Sequence, residues 1–335
     1  MTTDTKRRDV VRQGLALGAV AATAPAQLLS RPALAQAWPS KPVRIVVSYP
    51  PGGLTDAFAR AYGDYVSQKV GQPVVVENKA GAAGIIGAEM VAKAPADGYT
   101  LLFTISTTIV MNRVLFKTLP YDPDKDFIPI SFMDAGHLPF VVHKSVPATN
   151  IKEFAAWAKT EKVSMGTYAP GSYSHVVVAE LNRIFGLTME PVHYRGEAPM
   201  WQDLASGAIH AANGSYQALA GVLASGAGRA IAVPQKTRMK KLPDVPTFLE
   251  QGVDAKAFQI RGWIGLFAPA KTPMPIVDRL SALMVEGGQT PRVRQMLDTF
   301  GIDEAATDRQ TFENILKEES PIWLELVKAL GITPQ

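Results

Sequence analysis

The chain has 335 residues, 47% of them hydrophobic, which is enough for two cores of ordinary domain size. It contains no cysteine, which excludes disulfides, thiolate metal sites and cysteine nucleophiles. Most of the formal net charge of +4 belongs to residues 1–37, where Lys6, Arg7, Arg8, Arg12 and Arg31 face only Asp4 and Asp9; the remainder is close to neutral and carries no basic stripe, which argues against a nucleic-acid partner.

Residues 1–37 read as an export signal. A charged start, Lys6 to Arg12, precedes an uncharged Ala- and Gly-rich stretch from Gln13 to Ser30. Pro32-Ala-Leu-Ala-Gln-Ala37 then offers cleavage after Ala35 or Ala37, leaving a periplasmic mature chain. Arg7-Arg8 followed by Asp9, Val10 and Val11 resembles a twin-arginine signal, with the general secretory route as the alternative. The apolar stretch falls short of the ~20 strongly apolar residues of a membrane anchor.

Val43, Ile45, Val46 and Val47 form a short β-branched run, expected to be a strand covered on both faces. Pro50 and Pro51 stop it, and Gly52 and Gly53 permit a tight turn. Thr55 is the expected N-cap of the next helix and Asp56 falls in its first turn. Phe58, Ala61, Tyr62, Tyr65, Val66 and Val70 recur at helical spacing, and Gly71 ends the helix. Free amides at such a helix start favour an anion.

Strand and helix signals alternate from there on, the pattern of an α/β fold. Strands are expected over 73–78, 99–105, 127–133 and 139–143, with a helix over 85–94 and a loop at 104–108. A second series follows: a helix from Ile151 capped by Asn150, strands at 163–168, 191–194, 209–212 and 229–233, and helices ending at Phe185, Ser206 and Ala224. A strand over 262–268 precedes helices at 275–286, 291–300 and 310–330. Extended segments near 128–143 and 258–268 read as two crossovers between two lobes, 38–137 plus 263–335 and 138–262.

Polar, glycine-rich stretches fall where strands hand over to helices, at 49–56, 78–84, 104–108, 167–175, 194–199 and 213–216. Ligands of open α/β sheets bind beyond the carboxyl ends of the strands. The candidate ligand-binding residues at these junctions are Tyr49, Gly52, Gly53, Thr55, Asp56, Ala82, Ala83, Gly84, Ser106, Thr107, Gly171, Ser172, Ser174, His175, Tyr194, Gly196 and Asn213. Small residues, hydroxyls and free amides suit a carboxylate.

Several stretches, in this order and spacing, resemble the substrate-binding proteins of the tripartite tricarboxylate transporter family, also called the Bug family. They are Trp38-Pro-Ser-Lys-Pro42, Pro50-Pro-Gly-Gly-Leu-Thr-Asp56, Glu77-Asn-Lys-Ala-Gly-Ala-Ala-Gly84, Ala94-Pro-Ala-Asp-Gly-Tyr-Thr-Leu101, Leu119 to Phe127, His193-Tyr-Arg-Gly196, Gln202-Asp-Leu204 and Leu242 to Thr247. The resemblance covers essentially all of the mature chain. It implies a two-lobed periplasmic binding protein with two crossovers, holding a small organic acid between the lobes by its first two loops. It also implies membrane permease subunits as partners, with the receptor expected to be a monomer without a cofactor. The third loop lacks a histidine many relatives carry, Asn213 stands near a common aspartate, and Arg195 replaces a common lysine. These departures leave the acid's identity open, an aromatic acid included.

Ser172, Ser174 and His175 invite a catalytic reading, such as an esterase. Ser174 and His175 are chain neighbours that do not face each other on a helix, no G-x-S-x-G elbow is present, and the expectation is no catalysis. The five histidines show no metal-ligand spacing. Trp157, Trp201, Trp263 and Trp323 read as packing residues, while Tyr168, Tyr173 and Tyr216 join Tyr49 as loop aromatics within reach of a ligand. A binding protein that signals to a membrane sensor remains an alternative to a transport receptor.

Overall fold

The computed structural model describes residues 38–335, so the expected export signal and its cleavage sites lie outside the described residues. The first series of elements is β1 (Val43–Val47), α1 (Leu54–Val70), β2 (Val74–Asn78), α2 (Ile85–Ala92), β3 (Thr100–Ile105), α3 (Asn112–Leu115) and β4 (Phe127–Asp134). The second is β5 (Phe140–His143), α4 (Ile151–Ala158), β6 (Ser164–Thr167), α5 (Tyr173–Phe185), β7 (Glu190–His193), α6 (Glu197–Ser206), β8 (Ala211–Asn213), α7 (Tyr216–Ala224) and β9 (Gly228–Ala232). The chain finishes with β10 (Trp263–Pro269), α8 (Met274–Gly287), α9 (Pro291–Phe300) and α10 (Arg309–Ala329).

The strands divide between two five-stranded sheets, ordered β2-β1-β3-β10-β4 and β7-β6-β8-β5-β9. In the first, β1 pairs in parallel with β2 and β3, and β10 runs antiparallel between β3 and β4. In the second, β6 pairs in parallel with β7 and β8, and β5 runs antiparallel between β8 and β9. The parallel strands of each sheet therefore deliver their following loops to one edge. The chain passes from one sheet to the other between β4 and β5 and returns between β9 and β10.

Burial explains the strands. Val43, Ile45, Val46 and Val47 are all at most 3% exposed, as expected of a strand covered by helices on both faces. β10 is buried along its whole length, and its Trp263 and Phe267 rings lie 5.1 and 5.2 Å from Phe312 of α10. Gly265 lets that ring in, since a Cβ there would stand 2.6 Å from it.

Local rules place most helix ends. Gly71 closes α1 in the left-handed conformation, at φ +70°. Asn150 caps α4, its Oδ1 accepting from the Glu153 amide at 2.9 Å. Two expectations need correction. Helix α1 begins at Leu54 with Gly53 as its cap, so Thr55 is a buried residue of the first turn and not the N-cap. The stretch after β3 is a π-helical turn, Thr107–Met111, that runs into α3. No described helix is long and apolar enough to cross a membrane.

Candidate ligand-binding cleft

A cavity of about 680 Å³ lies where loops of the two sheets meet. From the first sheet it takes Tyr49 to Thr55 after β1, and Ile105, Ser106, Thr107 and Met111 at and beyond the end of β3. From the second it takes Tyr168, Ser172, Tyr173, Gly196, Glu197 and Ser215. Ala135, Leu138, Gly262 and Trp263 of the connecting segments and Trp323 of α10 complete it. Another depression, about 800 Å³, lies between α5, residues 252–257 and α10, and none of the candidate loops reaches it.

The glycine turn after β1 is held from behind by Asp56. Its carboxylate accepts from the Gly52 amide at 3.0 Å and from Arg60 at 3.2 and 2.8 Å. Arg60 also donates to Asn78 Oδ1, and Asn78 donates to the Tyr49 carbonyl. Burial opposes the charge on Asp56, but Arg60, Gly52 and Asn78 outweigh it and hold the carboxyl below the usual carboxylate range. Asp56 is thus committed to the turn, and the Gly52 amide is committed to Asp56. The amides left without an intrahelical partner at the α1 start are those of Leu54, Thr55 and Asp56, the ordinary orphans of a helix N-terminus.

The sign of a pH effect follows. A carboxyl whose folded pKa is depressed adds stability above its unfolded value near ~3.9, and that stability is lost as pH falls through the folded value. Asp56→Ala is expected to cost ~1–3 kcal/mol at pH 7. The gap to the parent should shrink at pH 3, measured by urea unfolding at both pH values; an equal cost at both would show that the charge contributes nothing.

The second loop is pinned differently. Ala82 and Ala83 both have positive φ, +46° and +52°, a conformation L residues adopt at a cost. The Ala83 carbonyl accepts from Tyr49 Oη, Thr108 Oγ1 and Asn112 Nδ2 at 3.3, 3.2 and 3.0 Å, which offsets that cost. The Gly84 amide is taken by the Gly81 carbonyl at 3.0 Å and is not free for an anion. A Cβ on Gly84 would lie 2.2 Å from Thr108 Oγ1, so this glycine serves close packing.

On the other side, Ser172 precedes α5. Its hydroxyl donates to the Ala169 carbonyl at 2.6 Å and meets Ser174 Oγ at 2.8 Å. Ser174 accepts from the Tyr168 amide, and His175 Nδ1 accepts from the Gly171 amide. Burial and the neighbouring His193 ring push His175 down to about 4, which leaves it neutral at pH 7. Tyr194 turns away to donate to Asp203 at 2.6 Å. Asn213 is buried, and neither polar atom of its side chain has a protein partner.

Of the residues expected at the site, Tyr49, Gly52, Gly53, Thr55, Ser106, Thr107, Ser172 and Gly196 line this cavity. Asp56, Ala82, Ala83, Gly84, Gly171, Ser174, His175, Tyr194 and Asn213 do not line it. Sequence reading did not include Glu197 and Ser215, which bond to each other across 18 positions, or Leu54, Met111 and Leu138. Trp263 and Trp323, assigned to packing, are at most 1% exposed and also line the cavity.

Two mixed α/β sheets with a shared cavity at their loop edges define a two-lobed binding protein. The chain belongs to the tripartite tricarboxylate transporter family receptors, whose family model matches residues 58–332. It is 34% identical, over 95% of its length and 93% of the relative's, to the UPF0065 protein in the tcbD-tcbE intergenic region of a Pseudomonas species. It is 29% identical to protein BugT of Bordetella pertussis, over 90% of this chain and 93% of that one. Among solved structures it resembles Rpa4515 of R. palustris with adipate, at TM-score 0.77 and 30% identity, covering 89% of this chain and 100% of that one. It also resembles MatC of Rhodopseudomonas palustris with bound malate, at TM-score 0.69 and 30% identity, covering 86% and 99%.

Proposed function

We propose that this protein is a periplasmic receptor that captures a small organic acid between its lobes and delivers it to the membrane subunits of a tripartite transporter. The lobes are residues 38–137 with 263–335 and residues 138–262. The observation that carries the reading is the α1 N-terminus: orphan amides of Leu54, Thr55 and Asp56 in a turn fixed by Asp56, beside a cavity lined by no Lys, Arg or His. One carboxylate sits at that turn against Gly53 and the Thr55 hydroxyl, with Tyr49, Ser106, Thr107, Ser172 and Gly196 around the ligand. Similarity to proteins whose structures hold adipate and malate supports a carboxylate as the bound group.

The protein acts by binding and not by turnover. Ser172 and Ser174 bond to each other and to the backbone, and His175 Nδ1 is engaged by the Gly171 amide, so neither of these two serines is paired with His175 as a base. The receptor works as a monomer after removal of the export signal.

The test is a thermal-shift screen of mono-, di- and tricarboxylates, aromatic acids included, on protein recovered from the periplasm with its N-terminus read at Gln36 or Trp38. A ligand that binds only the folded state raises Tm. At least one acid should do so and its methyl ester should not. Equal stabilisation by acid and ester would overturn the carboxylate reading.

A further inference from the structure

The cavity contains one charged side chain, and it is an acid. Glu197, the first residue of α6, turns its carboxylate toward Ser215, the cap of α7. Ser215 Oγ donates to Oε2 at 2.6 Å, and the Ser215 amide donates at 3.0 Å to Oε2 and 3.2 Å to Oε1. Trp201 Nε1 adds a long contact to Oε2 at 3.5 Å. Every partner is a donor, so the group is set up as an acceptor. Oε2 takes the short bonds and Oε1 keeps most of its lone-pair capacity.

This arrangement matters for what the second lobe can hold. The Ser215 amide at the α7 start is one of that lobe's groups suited to an anion, and the side chain of Glu197 already occupies it. A second ligand carboxylate arriving there would meet a like charge with no cation beside it. Burial pushes the Glu197 carboxyl up, and the Ser215 and Trp201 hydrogen bonds only partly offset this. A ligand group bearing a proton or a positive charge would supply what the protein leaves out. Leu54, Ile105, Met111, Leu138, Tyr168 and Trp263 give the space between the two polar ends apolar and aromatic walls.

We propose that the ligand is a monocarboxylate with an apolar body whose far end carries a hydrogen-bond donor, a hydroxyl or an ammonium, received by Glu197. The protein selects this over a dicarboxylate of the same length. The inference rests on the reading that one carboxylate is held at the α1 turn.

The test uses matched series on the full mature protein: hexanoate, 6-aminohexanoate and adipate; benzoate, 4-hydroxybenzoate, 4-(aminomethyl)benzoate and terephthalate. Calorimetry is run on the parent and on Glu197→Gln, with folding checked by melting. In the series that fits the cavity, a donor-ended acid should bind the parent about tenfold or more tighter than the dicarboxylate. Glu197→Gln, which loses the charge and gains a donor amide, should erase most of that preference. A dicarboxylate that binds the parent as tightly as its donor-ended partner overturns the inference, as does a preference that Glu197→Gln leaves unchanged. In both cases the carboxylate reading survives, because the acids still bind. If no acid of either series binds, the inference fails, and the carboxylate reading stands or falls with the wider screen of acids against their esters.

Discussion

Gly53→Val is expected to abolish ligand binding while leaving the protein folded. The loss should reach about a hundredfold or more in Kd, or ~2.8 kcal/mol. Gly53 has φ −84°, a value any L residue adopts, and a Cβ there meets only the Pro50 carbonyl oxygen, at an ordinary 3.8 Å. The free protein should therefore accept the new side chain. Gly53 also lines the cavity at the cap of α1, so the valine methyls would stand where the ligand must approach the turn. Gly52 would be a poorer probe, since its φ of +84° would add backbone strain. The companion substitution is Arg195→Ala. Arg195 is exposed and does not line the cavity, so its removal should weaken binding by ~1 kcal/mol or less. Calorimetry with an acid found by thermal shift decides between them. Should Arg195→Ala remove binding while Gly53→Val keeps it, the anion is held by the guanidinium and not by the turn.

Phe312→Ala is expected to cost ~3–5 kcal/mol of stability, read from urea or thermal unfolding. The ring is fully buried and sits against Phe132 of β4 and Trp263 and Phe267 of β10, with centroids 5.7, 5.1 and 5.2 Å away. It fills the space that Gly265 leaves open in the middle of β10. Alanine would leave a void bounded by rings that cannot collapse onto a strand hydrogen-bonded on both sides. A cost under ~1 kcal/mol would mean that α10 is not anchored to the first sheet through this ring.

What could be read from the chain alone was local or periodic. The Asn150 cap and the Gly71 stop each depend on residues within a few positions, and both stand in the structure as expected. The strand at 43–47 is legible because four β-branched residues leave no polar face. Thr55 misled because threonine is a good cap by type, whereas the two glycines before it let the helix start earlier. The π-helical turn at Thr107–Met111 follows a strand and carries two threonines, which locally look like loop. Glu197 was missed for a different reason. It sits in a first helical turn, where an acid is ordinary, and only the fold brings Ser215 to it. Trp323 lies near the end of the chain and reaches the cavity only because α10 packs back across, its ring 5.6 Å from that of Tyr173. Contacts made by topology leave no mark at short spacing.

The position of β10 also sets an order of events during synthesis. It occupies a place between β3 and β4, yet it is made only after the whole of the second sheet. The strands β5 to β9 come from one continuous stretch and can pair as soon as they are complete. The first four strands must wait with a gap in their midst, the inner edges of β3 and β4 unpaired and their apolar faces uncovered. At a synthesis rate of ~5–20 residues per second the interval from the end of β4 to the end of β10 is roughly 7–27 s. Through that interval the nascent chain carries two open strand edges, which makes this the period in which it is most prone to aggregate and most in need of a chaperone.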